Sequence, residues 1–220
     1  MRQTKVYMTK DASGAYEAAI NGHIVVIVDI IDMSTSLETA LEMGAVAVFG
    51  ASPDQNYAPV QVNPEKIAID VAFIAQKLNT EVIIIGEPRF ARQEEQMKNC
   101  QRLANKLTEM NVEISDFVPN VGKEIWNFTN FEKKIVIAVT GTGGVAFDAA
   151  YNAESGCIVT TATVARTKYM RGEAPALKGV YRAKNLASEL KRDISYVAAS
   201  SNSYEDILAA KYLCGLTKGL

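Results

Sequence analysis

Short runs of the chain are apolar at every position rather than at alternate ones. They cover residues 24–28, 82–85, 135–139 and 157–159, and most of their side chains are β-branched. Such runs are typical of parallel strands buried on both faces by helices. The pattern therefore predicts an α/β fold of three layers, α/β/α, with a largely parallel or mixed sheet.

Between these runs, apolar residues recur at helical spacing. One helix is predicted to begin at Asn63-Pro64-Glu65, where Asn suits the N-cap and Pro the first turn. Its apolar positions are Ile67, Val71, Ile74 and Leu78. A second, long helix is predicted over 93–110, with Met97, Cys100, Ala104 and Leu107 on one side as core residues.

Two segments, 24–50 and 135–162, follow the same plan of strand, polar loop, helix, glycine and strand. The plan predicts one α/β domain over 1–220 with two similar βαβ-containing halves; a chance similarity is the alternative. Loops that leave the carboxyl ends of parallel strands lie at one edge of a sheet, where open α/β folds bind ligands. We therefore expect the loops after 24–28 and 135–139 to lie together.

Composition narrows the class of protein. The 220 residues are 48% hydrophobic and 22% charged, which is ordinary for a globular chain. With 23 Lys and Arg against 25 Asp and Glu, the net charge of −2 argues against a nucleic-acid partner. No apolar stretch reaches the ~20 residues needed to span a bilayer, so no membrane partner is expected.

Cysteine and histidine usage limits the kinds of metal site and catalytic mechanism that the chain can have. The three cysteines show no metal-binding spacing and no leader-like segment precedes them, which predicts a cytoplasmic, reduced protein. The single histidine, His23, precedes an apolar run and is interpreted as a strand-edge residue. Zinc sites with Cys and His ligands and Ser-His-Asp hydrolysis are therefore disfavoured. The sequence leaves a homodimer open.

The loop after residues 135–139 is the first candidate for chemistry. It reads Thr140-Gly141-Thr142-Gly143-Gly144, so its backbone can approach a ligand and point several N–H groups at an anion. A phosphate group is the expected guest. The alternative is that the glycines serve only a tight strand-to-helix turn.

Carboxylates follow two of the predicted strands. Asp29 comes directly after residues 24–28, with Asp32 three positions later, and Glu87 follows residues 82–85, with Arg89 close behind. Oxygen ligands of this kind suit Mg²⁺. Of the hydroxyls at positions 34–36, one is expected to cap a helix that begins at Leu37.

Two further sets of candidate site residues lie in the second half of the chain. Asn202 and Glu205 have the spacing of a capping box, which leaves Asp206 free for another role. The segment 151–193 has eight Lys or Arg against four Asp or Glu, and within it Arg166 heads a basic cluster that could guide an anionic substrate. A solvated basic surface is the alternative.

The order of these motifs resembles the 2-phosphosulfolactate phosphatase (ComB) family over nearly the whole chain. The motifs are Val26-Ile27-Val28-Asp29, Gly86-Glu87, Val139-Thr140-Gly141-Thr142-Gly143 and Ser203-Tyr204-Glu205-Asp206. The resemblance implies an α/β/α fold and a Mg²⁺-dependent phosphatase of coenzyme M biosynthesis. By position it implies roles for Asp29, Glu87, the two threonines of the loop and the Glu205-Asp206 pair.

The chain departs from the family where charge matters. Where the family has an arginine after its first Asp, this chain has Asp32, which would repel a phosphate or sulfonate. The family's Asn-Ser-Pro turn survives only loosely as Pro119-Asn120-Val121. The substrate is therefore expected to be a small anionic phosphorylated molecule such as 2-phosphosulfolactate or a related phospho-hydroxy acid.

These observations give a set of expected site residues. Asp29, Glu87 and Asp206 are the predicted catalytic carboxylates, and Asp29, Glu205 and Asp206 the predicted Mg²⁺ ligands. The predicted substrate-binding residues are Asp32, Thr140, Gly141, Thr142, Gly143 and Arg166. The alternatives are a non-catalytic member that binds a small anionic metabolite, or a Gly-Thr-Gly loop used for a pterin or nucleotide phosphate.

Overall fold

The strands of the computed structural model form two parallel sheets of four strands each, with helices packed around them. The structure describes residues 4–90, 92–154 and 156–220. The strands are β1 (Val6–Lys10), β2 (Ile24–Val28), β3 (Ala47–Ala51), β4 (Val82–Gly86), β5 (Ile114–Pro119), β6 (Ile135–Val139), β7 (Ile158–Thr161) and β8 (Ile194–Ala198). The predicted three-layer α/β/α fold is confirmed.

The helices alternate with the strands along most of the chain. They are α1 (Asp11–Ile20), α2 (Ser34–Glu42), α3 (Pro64–Leu78), α4 (Gln93–Lys98), α5 (Gln101–Glu109), α6 (Gly143–Ala153), α7 (Ala174–Leu190) and α8 (Tyr204–Gly219), with a 3-10 helix at Gly122–Asn127. None of the described helices combines the length and apolar character that a membrane crossing requires.

In the two similar segments, each strand pairs with a strand of the other segment. The strand orders are β1-β8-β2-β7 and β3-β6-β4-β5. The first segment is β2-α2-β3 and the second is β6-α6-β7, but β2 pairs with β7 and β6 pairs with β3. Whereas an ordinary βαβ unit keeps its two strands in one sheet, α2 and α6 each carry the chain from one sheet to the other.

Both faces of β2 are covered, which explains why the strand is apolar throughout. Ile24, Val26 and Val28 pack in one core cluster with residues of α7 and α8. Val25 and Ile27 point to the opposite face and pack in the larger cluster, which also contains residues of the second sheet. A strand that alternated apolar and polar residues would place polar groups in one of these clusters.

The helix that begins at Pro64 has the predicted cap, because Lys66 N donates to the side chain of Asn63 at 3.1 Å. The predicted helix over 93–110 is wrong, since α4 ends at Lys98 and α5 begins at Gln101. At the break, the Asn99 side chain donates to Glu87 O at 3.1 Å, and Asn99 O accepts from Asp54 N at 2.8 Å. These contacts stabilise a turn at Asn99, which separates α4 from α5.

The start of α2 also differs from expectation. The helix begins at Ser34, before Leu37, and none of its side chains caps it. The Ser34 hydroxyl instead accepts from Asp29 N at 2.9 Å and donates to Ile27 O at 3.0 Å. The hydroxyl therefore fixes the end of β2, where the first candidate carboxylate stands.

Candidate functional site

Asp29 joins the loops that follow β2 and β6. Its Oδ2 accepts hydrogen bonds from Thr142 Oγ1 at 2.7 Å and from Gly143 N at 2.6 Å. Its Oδ1 accepts from Asp32 N at 2.9 Å. The residue is only 2% exposed. The two loops that the repeat predicted to lie together are therefore held together by one buried carboxylate.

This arrangement places a protein carboxylate where a phosphate was expected. The amide of Gly143 donates to Asp29, and the amide of Gly144 donates to Thr140 Oγ1 at 2.8 Å. The amides at the start of a helix, together with the helix dipole, favour an anion. In this structure, Asp29 is the anion at the start of α6.

Close packing explains two of the glycines in the loop. A Cβ at position 143 would lie 2.4 Å from Asp29 Oδ2, and a Cβ at position 144 would lie 2.1 Å from Ala51 O. Both distances are far below van der Waals contact. The glycines therefore bring the start of α6 against Asp29 and the end of β3, whether or not a ligand binds there.

Asn120 is a site residue that the sequence indicated only as part of a degenerate family turn and did not predict as part of the site. It is fully buried directly after β5, and its Nδ2 donates to Glu87 Oε1 at 3.0 Å and to Asp32 O. Its Oδ1 accepts from Ser36 Oγ at 2.6 Å. The signal was its position, because Asp29 and Glu87 also directly follow parallel strands. Asn120 orients Glu87 and fixes the loop that carries Asp32.

Asp32 and Arg89 form an ion pair at the mouth of a cleft. Arg89 Nη2 donates to Asp32 Oδ1 and, at 3.1 Å, to Ile31 O. Thr142 Oγ1 lies 3.4 Å from Asp32 Oδ2. The cleft has a volume of about 560 Å³ and is lined by Asp32, Glu87 and Arg89 together with Pro53, Gln55, Pro88, Asn99, Val139 and Gly141. Asp32 therefore lies beside the 140–144 loop, and it does not cap α2.

Asp206 lies next to Asp29 in space but below the surface. Its Oδ1 accepts from Ile30 N at 2.8 Å, so it holds the residue that directly follows Asp29. Ser203, rather than Asn202, caps α8, since its hydroxyl accepts from Asp206 N at 3.3 Å. Asp206 is 3% exposed, whereas Glu205 is exposed.

The predicted site residues thus fall into three groups. Asp32, Glu87 and Gly141 line the cleft, whereas Asp29, Asp206, Thr140, Thr142 and Gly143 take part in hydrogen bonds that support its loops. Glu205 and Arg166 form the third group, the exposed residues. Arg166 is exposed and is not among the residues that line the cleft. Its charge instead helps to lower the pKa of Glu124.

Three carboxyl groups at or below the cleft, those of Glu87, Asp29 and Asp206, have a raised pKa. Burial raises the pKa of Glu87, the Asn120 hydrogen bond lowers it, and the negative charges of Asp32 and Asp29 raise it further. Burial is also the largest cause of the raised pKa of Asp29. Burial raises the pKa of Asp206 to about 6, with a further contribution from the charge of Asp29. The site therefore favours protonated carboxyl groups more than water does.

The donor set suits a hard cation but does not form a closed cage. In the described part of the chain, no three His, Cys, Asp or Glu side chains are arranged to hold a metal ion. Mg²⁺ is usually bound by one or two carboxylates, with waters and substrate phosphate completing its shell. Asp32, whose carboxylate lies in the cleft, fits that pattern chemically.

A buried carboxylate also fixes the segment 52–63, which borders the cleft. Asp148 accepts from Ser52 N at 3.1 Å, from Ser52 Oγ at 2.5 Å and from Asn63 N at 2.7 Å. The two ends of the segment are thus held by one side chain of α6. Between them, Pro53 and Gln55 line the cleft and Tyr57 is fully exposed. No sequence pattern indicated this role, because Asp148 resembles an ordinary polar residue of a helix.

Comparison with known proteins adds no assignment. A scan against protein-family models finds no model that matches the chain, and a search of curated proteins finds no match.

Asp206→Asn should remove a pH dependence of stability. A carboxyl whose pKa is higher in the folded than in the unfolded protein stabilises the fold below its unfolded pKa, here 3.8, and this stabilisation is lost as the pH rises through its folded pKa, here about 6. One pKa unit is equivalent to about 1.4 kcal/mol, so the wild type should lose about 1–3 kcal/mol relative to the variant between pH 4 and pH 7. Asparagine keeps an oxygen for Ile30 N.

Urea unfolding at several pH values in this range measures the difference. Glu189→Gln is the matched control, because this exposed carboxylate of α7 is not among the groups that raise the pKa of Asp206 and its loss should leave the pH profile unchanged. Parallel profiles of the wild type and Asp206→Asn would contradict the raised pKa.

Proposed function

We propose that the chain is a Mg²⁺-dependent hydrolase of small phosphomonoesters, acting in the cleft between the loops after β2, β4 and β6. The observation that carries the proposal is the set of Asp32, Glu87 and Arg89 on the wall of this cleft. Two carboxylates and an arginine can together accommodate a cation and a phosphate group. The likeness to ComB phosphatases points to the same chemistry.

The Asp32–Arg89 pair complements a cation and a phosphate that bind together. Asp32 would hold Mg²⁺ together with waters, and Arg89 would turn its donors from Asp32 to the phosphate oxygens. When bound, Mg²⁺ would neutralise charge on the phosphoryl group and lower the pKa of a water. The repulsion expected from Asp32 is thereby offset, because the carboxylate would face the cation rather than the phosphate.

Glu87 is the best candidate for proton transfer. Its pKa is raised by burial, so a larger share of the side chain is protonated near neutral pH than for an exposed Glu. The protonated carboxyl can donate to the alkoxide oxygen that leaves the phosphorus atom. Asn120, which donates to Glu87 Oε1, leaves Oε2 to carry this proton.

Asp29 and Asp206 act as positioning residues in this proposal. Asp29 holds Asp32 N, Thr142 and Gly143, so it sets the distance between Asp32 and the 140–144 loop. Asp206 holds the backbone between Asp29 and Asp32 through Ile30 N. A ligand role for Glu205 has no support from the geometry, since the side chain is exposed at the start of α8.

A second candidate function is binding of a small anionic metabolite without catalysis. One observation favours it: the amides of Gly143 and Gly144, which were expected to hold the phosphate, already donate to Asp29 and Thr140. A cleft that lacks these donors can still bind an anion through Arg89.

A phosphatase screen separates the two functions. The protein should release phosphate from at least one small phospho-hydroxy acid with Mg²⁺, and EDTA should abolish the activity. Glu87→Gln should lower kcat at least 100-fold, in the range of general acid catalysis. Glu95→Gln, an exposed carboxylate of α4, is the control and should leave kcat unchanged.

The negative outcomes are equally informative. No turnover, combined with thermal stabilisation by the same phospho-acids, would support the metabolite-binding function instead. Turnover that survives EDTA, or that Glu87→Gln leaves intact, would overturn the assignment of Mg²⁺ or of Glu87 respectively.

A further inference from the structure

A second cavity, called here the side cavity, adjoins the cleft of the candidate site. It has a volume of about 530 Å³, and Pro53, Gln55 and Gly141 line both spaces. Its other walls come from the start of α1, from residues 56–59 and from the two residues that follow β8. Thr142 also lines it and lies 3.4 Å from Asp32, so a molecule whose phosphate lies beside Asp32 can extend into the side cavity.

Gly141, unlike Gly143 and Gly144, is not required by close packing. A Cβ added at position 141 would have no neighbouring atom within 4 Å in the described structure. Its φ is not in the left-handed region either, so the backbone also accepts a side chain here. Because Gly141 lines both spaces, its lack of a side chain leaves room for a ligand that occupies them together.

The side cavity is poor in charge. Among the described residues that line it, only Asp11 has a charged side chain. Its Oδ1 accepts from Ser201 N at 2.6 Å, and its charge is the one that the start of α1 favours. A second anionic group on the ligand would therefore meet a carboxylate, with no lysine or arginine among these lining residues. The part of the ligand that enters the side cavity is expected to be uncharged.

The same walls offer hydrogen-bonding groups and one aromatic ring. Within the part of the chain that the structure describes, the side chains of Ser13 and Gln55 make no hydrogen bond, so their donors and acceptors are available to a ligand. The side chain of Tyr57 is fully exposed, so its ring is also available. Hydroxyl groups of a ligand would pair with the polar side chains, and the C–H groups on one face of a sugar ring would pack on the tyrosine.

The segment that carries Gln55 and Tyr57 has a packed support. Ala58 and Val60 pack against a small core cluster that contains Ala12 and Val145. Together with the hydrogen bonds that Asp148 makes at both ends of the segment, this packing places the polar and aromatic groups before a ligand arrives.

We propose that the side cavity binds the leaving group of the substrate and that this group is a sugar, so that the substrate is a sugar phosphate with one phosphate group and no other charge. The inference rests on the proposed function, because it places the phosphate in the cleft. Among small phosphomonoesters it favours sugar phosphates over phospho-hydroxy acids, whose carboxylate Asp11 would repel.

Titration calorimetry with α-D-glucose 1-phosphate and α-D-glucuronic acid 1-phosphate tests the inference. The two probes share their ring and their phosphate, and they differ only in having an uncharged CH₂OH group or a carboxylate at the far end. Glu87→Gln protein with Mg²⁺ is used, because it should hydrolyse the probes too slowly to disturb the measurement. Glucose 1-phosphate should bind at least tenfold more tightly, since the other probe brings a second negative charge close to Asp11.

Two further variants, made in the same Glu87→Gln protein, test the walls of the side cavity. Asp11→Asn keeps an oxygen for Ser201 N and suits the positive φ at this position. It should bind glucuronic acid 1-phosphate at least fivefold more tightly and leave the affinity for glucose 1-phosphate unchanged. Tyr57→Ala should weaken binding of glucose 1-phosphate at least fivefold and leave binding of inorganic phosphate unchanged. Tyr181→Ala is the matched control, because this half-exposed tyrosine of α7 lines neither space.

Failure of this inference is distinguishable from failure of the proposed function, since phosphate release by the wild type tests the latter and the affinity ratio tests the former. Equal affinity for the two probes, or affinity for glucose 1-phosphate that Tyr57→Ala leaves unchanged, would overturn the inference and leave the phosphatase proposal intact. Failure of both probes to bind at millimolar concentration would also overturn it. A tenfold preference for glucose 1-phosphate in a protein whose wild type releases no phosphate would support the sugar site and overturn hydrolysis.

Discussion

Arg182→Met should lower the free energy of unfolding by about 3–5 kcal/mol at pH 7, the range typical of a buried ion pair that loses one partner. Arg182 of α7 donates to both carboxylate oxygens of Glu38, at 2.6 and 2.7 Å. Glu38 lies on α2 and is 1% exposed. Without Arg182, its charge would remain inside the protein with no direct partner among these contacts, or it would have to be neutralised.

The loss of stability caused by Arg182→Met should become smaller as the pH falls. Burial already raises the pKa of Glu38 and Arg182 opposes that effect, so the variant should have a still higher pKa. A carboxyl group whose pKa is raised in the folded state destabilises the fold when the pH is above that raised pKa. This destabilisation is absent when the pH is below the pKa of the unfolded state, which is 4.5. Urea unfolding at pH 7 and at pH 5 measures the change.

The surface pair Arg102–Glu65 supplies a matched control. Its atoms are 3.2 Å apart and both side chains are more than 40% exposed. Arg102→Met should therefore cost less than about 1 kcal/mol. Equal losses for the two arginine variants would show that burial of Glu38 is not the cause.

Asp29→Ala should destabilise the protein by about 2–4 kcal/mol, because it leaves buried donors without an acceptor. The donors are Asp32 N and Gly143 N, and Thr142 Oγ1 would keep only its longer contact of 3.4 Å with Asp32 Oδ2. Asp29→Asn should be intermediate, since its amide NH₂ must face either Asp32 N or Gly143 N, neither of which accepts a hydrogen bond.

Thermal and urea unfolding measure these losses. Asp116→Ala, the removal of an exposed carboxylate from β5, is the control and should change stability by less than about 1 kcal/mol. If Asp29→Asn were as stable as the wild type, the hydrogen-bond assignment at Asp29 would be wrong.

Local patterns predicted the elements of the fold but not all of its contacts. Continuous apolar runs identified β2, β4 and β6, and the Asn63-Pro64 pair identified the start of α3. β1 and α1 were not assigned, because β1 is largely exposed and its sequence has no continuous apolar run. The break in the helix over 93–110 depends on Asn99 meeting Glu87, a contact that no periodicity reveals.

The candidate site was predicted at the level of loops rather than of side chains. Position after a parallel strand pointed to Asp29, Asp32 and Glu87; the structure brings their loops together although β2 and β4 belong to different sheets. Which of them faces solvent depends on partners more than a hundred positions away, as with Asp29 and Thr142. Asn120 and Arg89 also contact Asp32 from distant positions of the chain, 88 and 57 residues away. Residue type and spacing contain no information about such partners.

The exchange of strands has a consequence for how the chain acquires its structure. Every strand pair joins one of β1–β4 to one of β5–β8. A chain synthesised only through α5 therefore contains half of the strands and not one completed ladder. Contacts of such long sequence separation slow folding, since the intervening chain must be ordered before they form. We therefore expect neither half to fold by itself, and a cut between α5 and β5 should leave two pieces that form their sheets only when they associate.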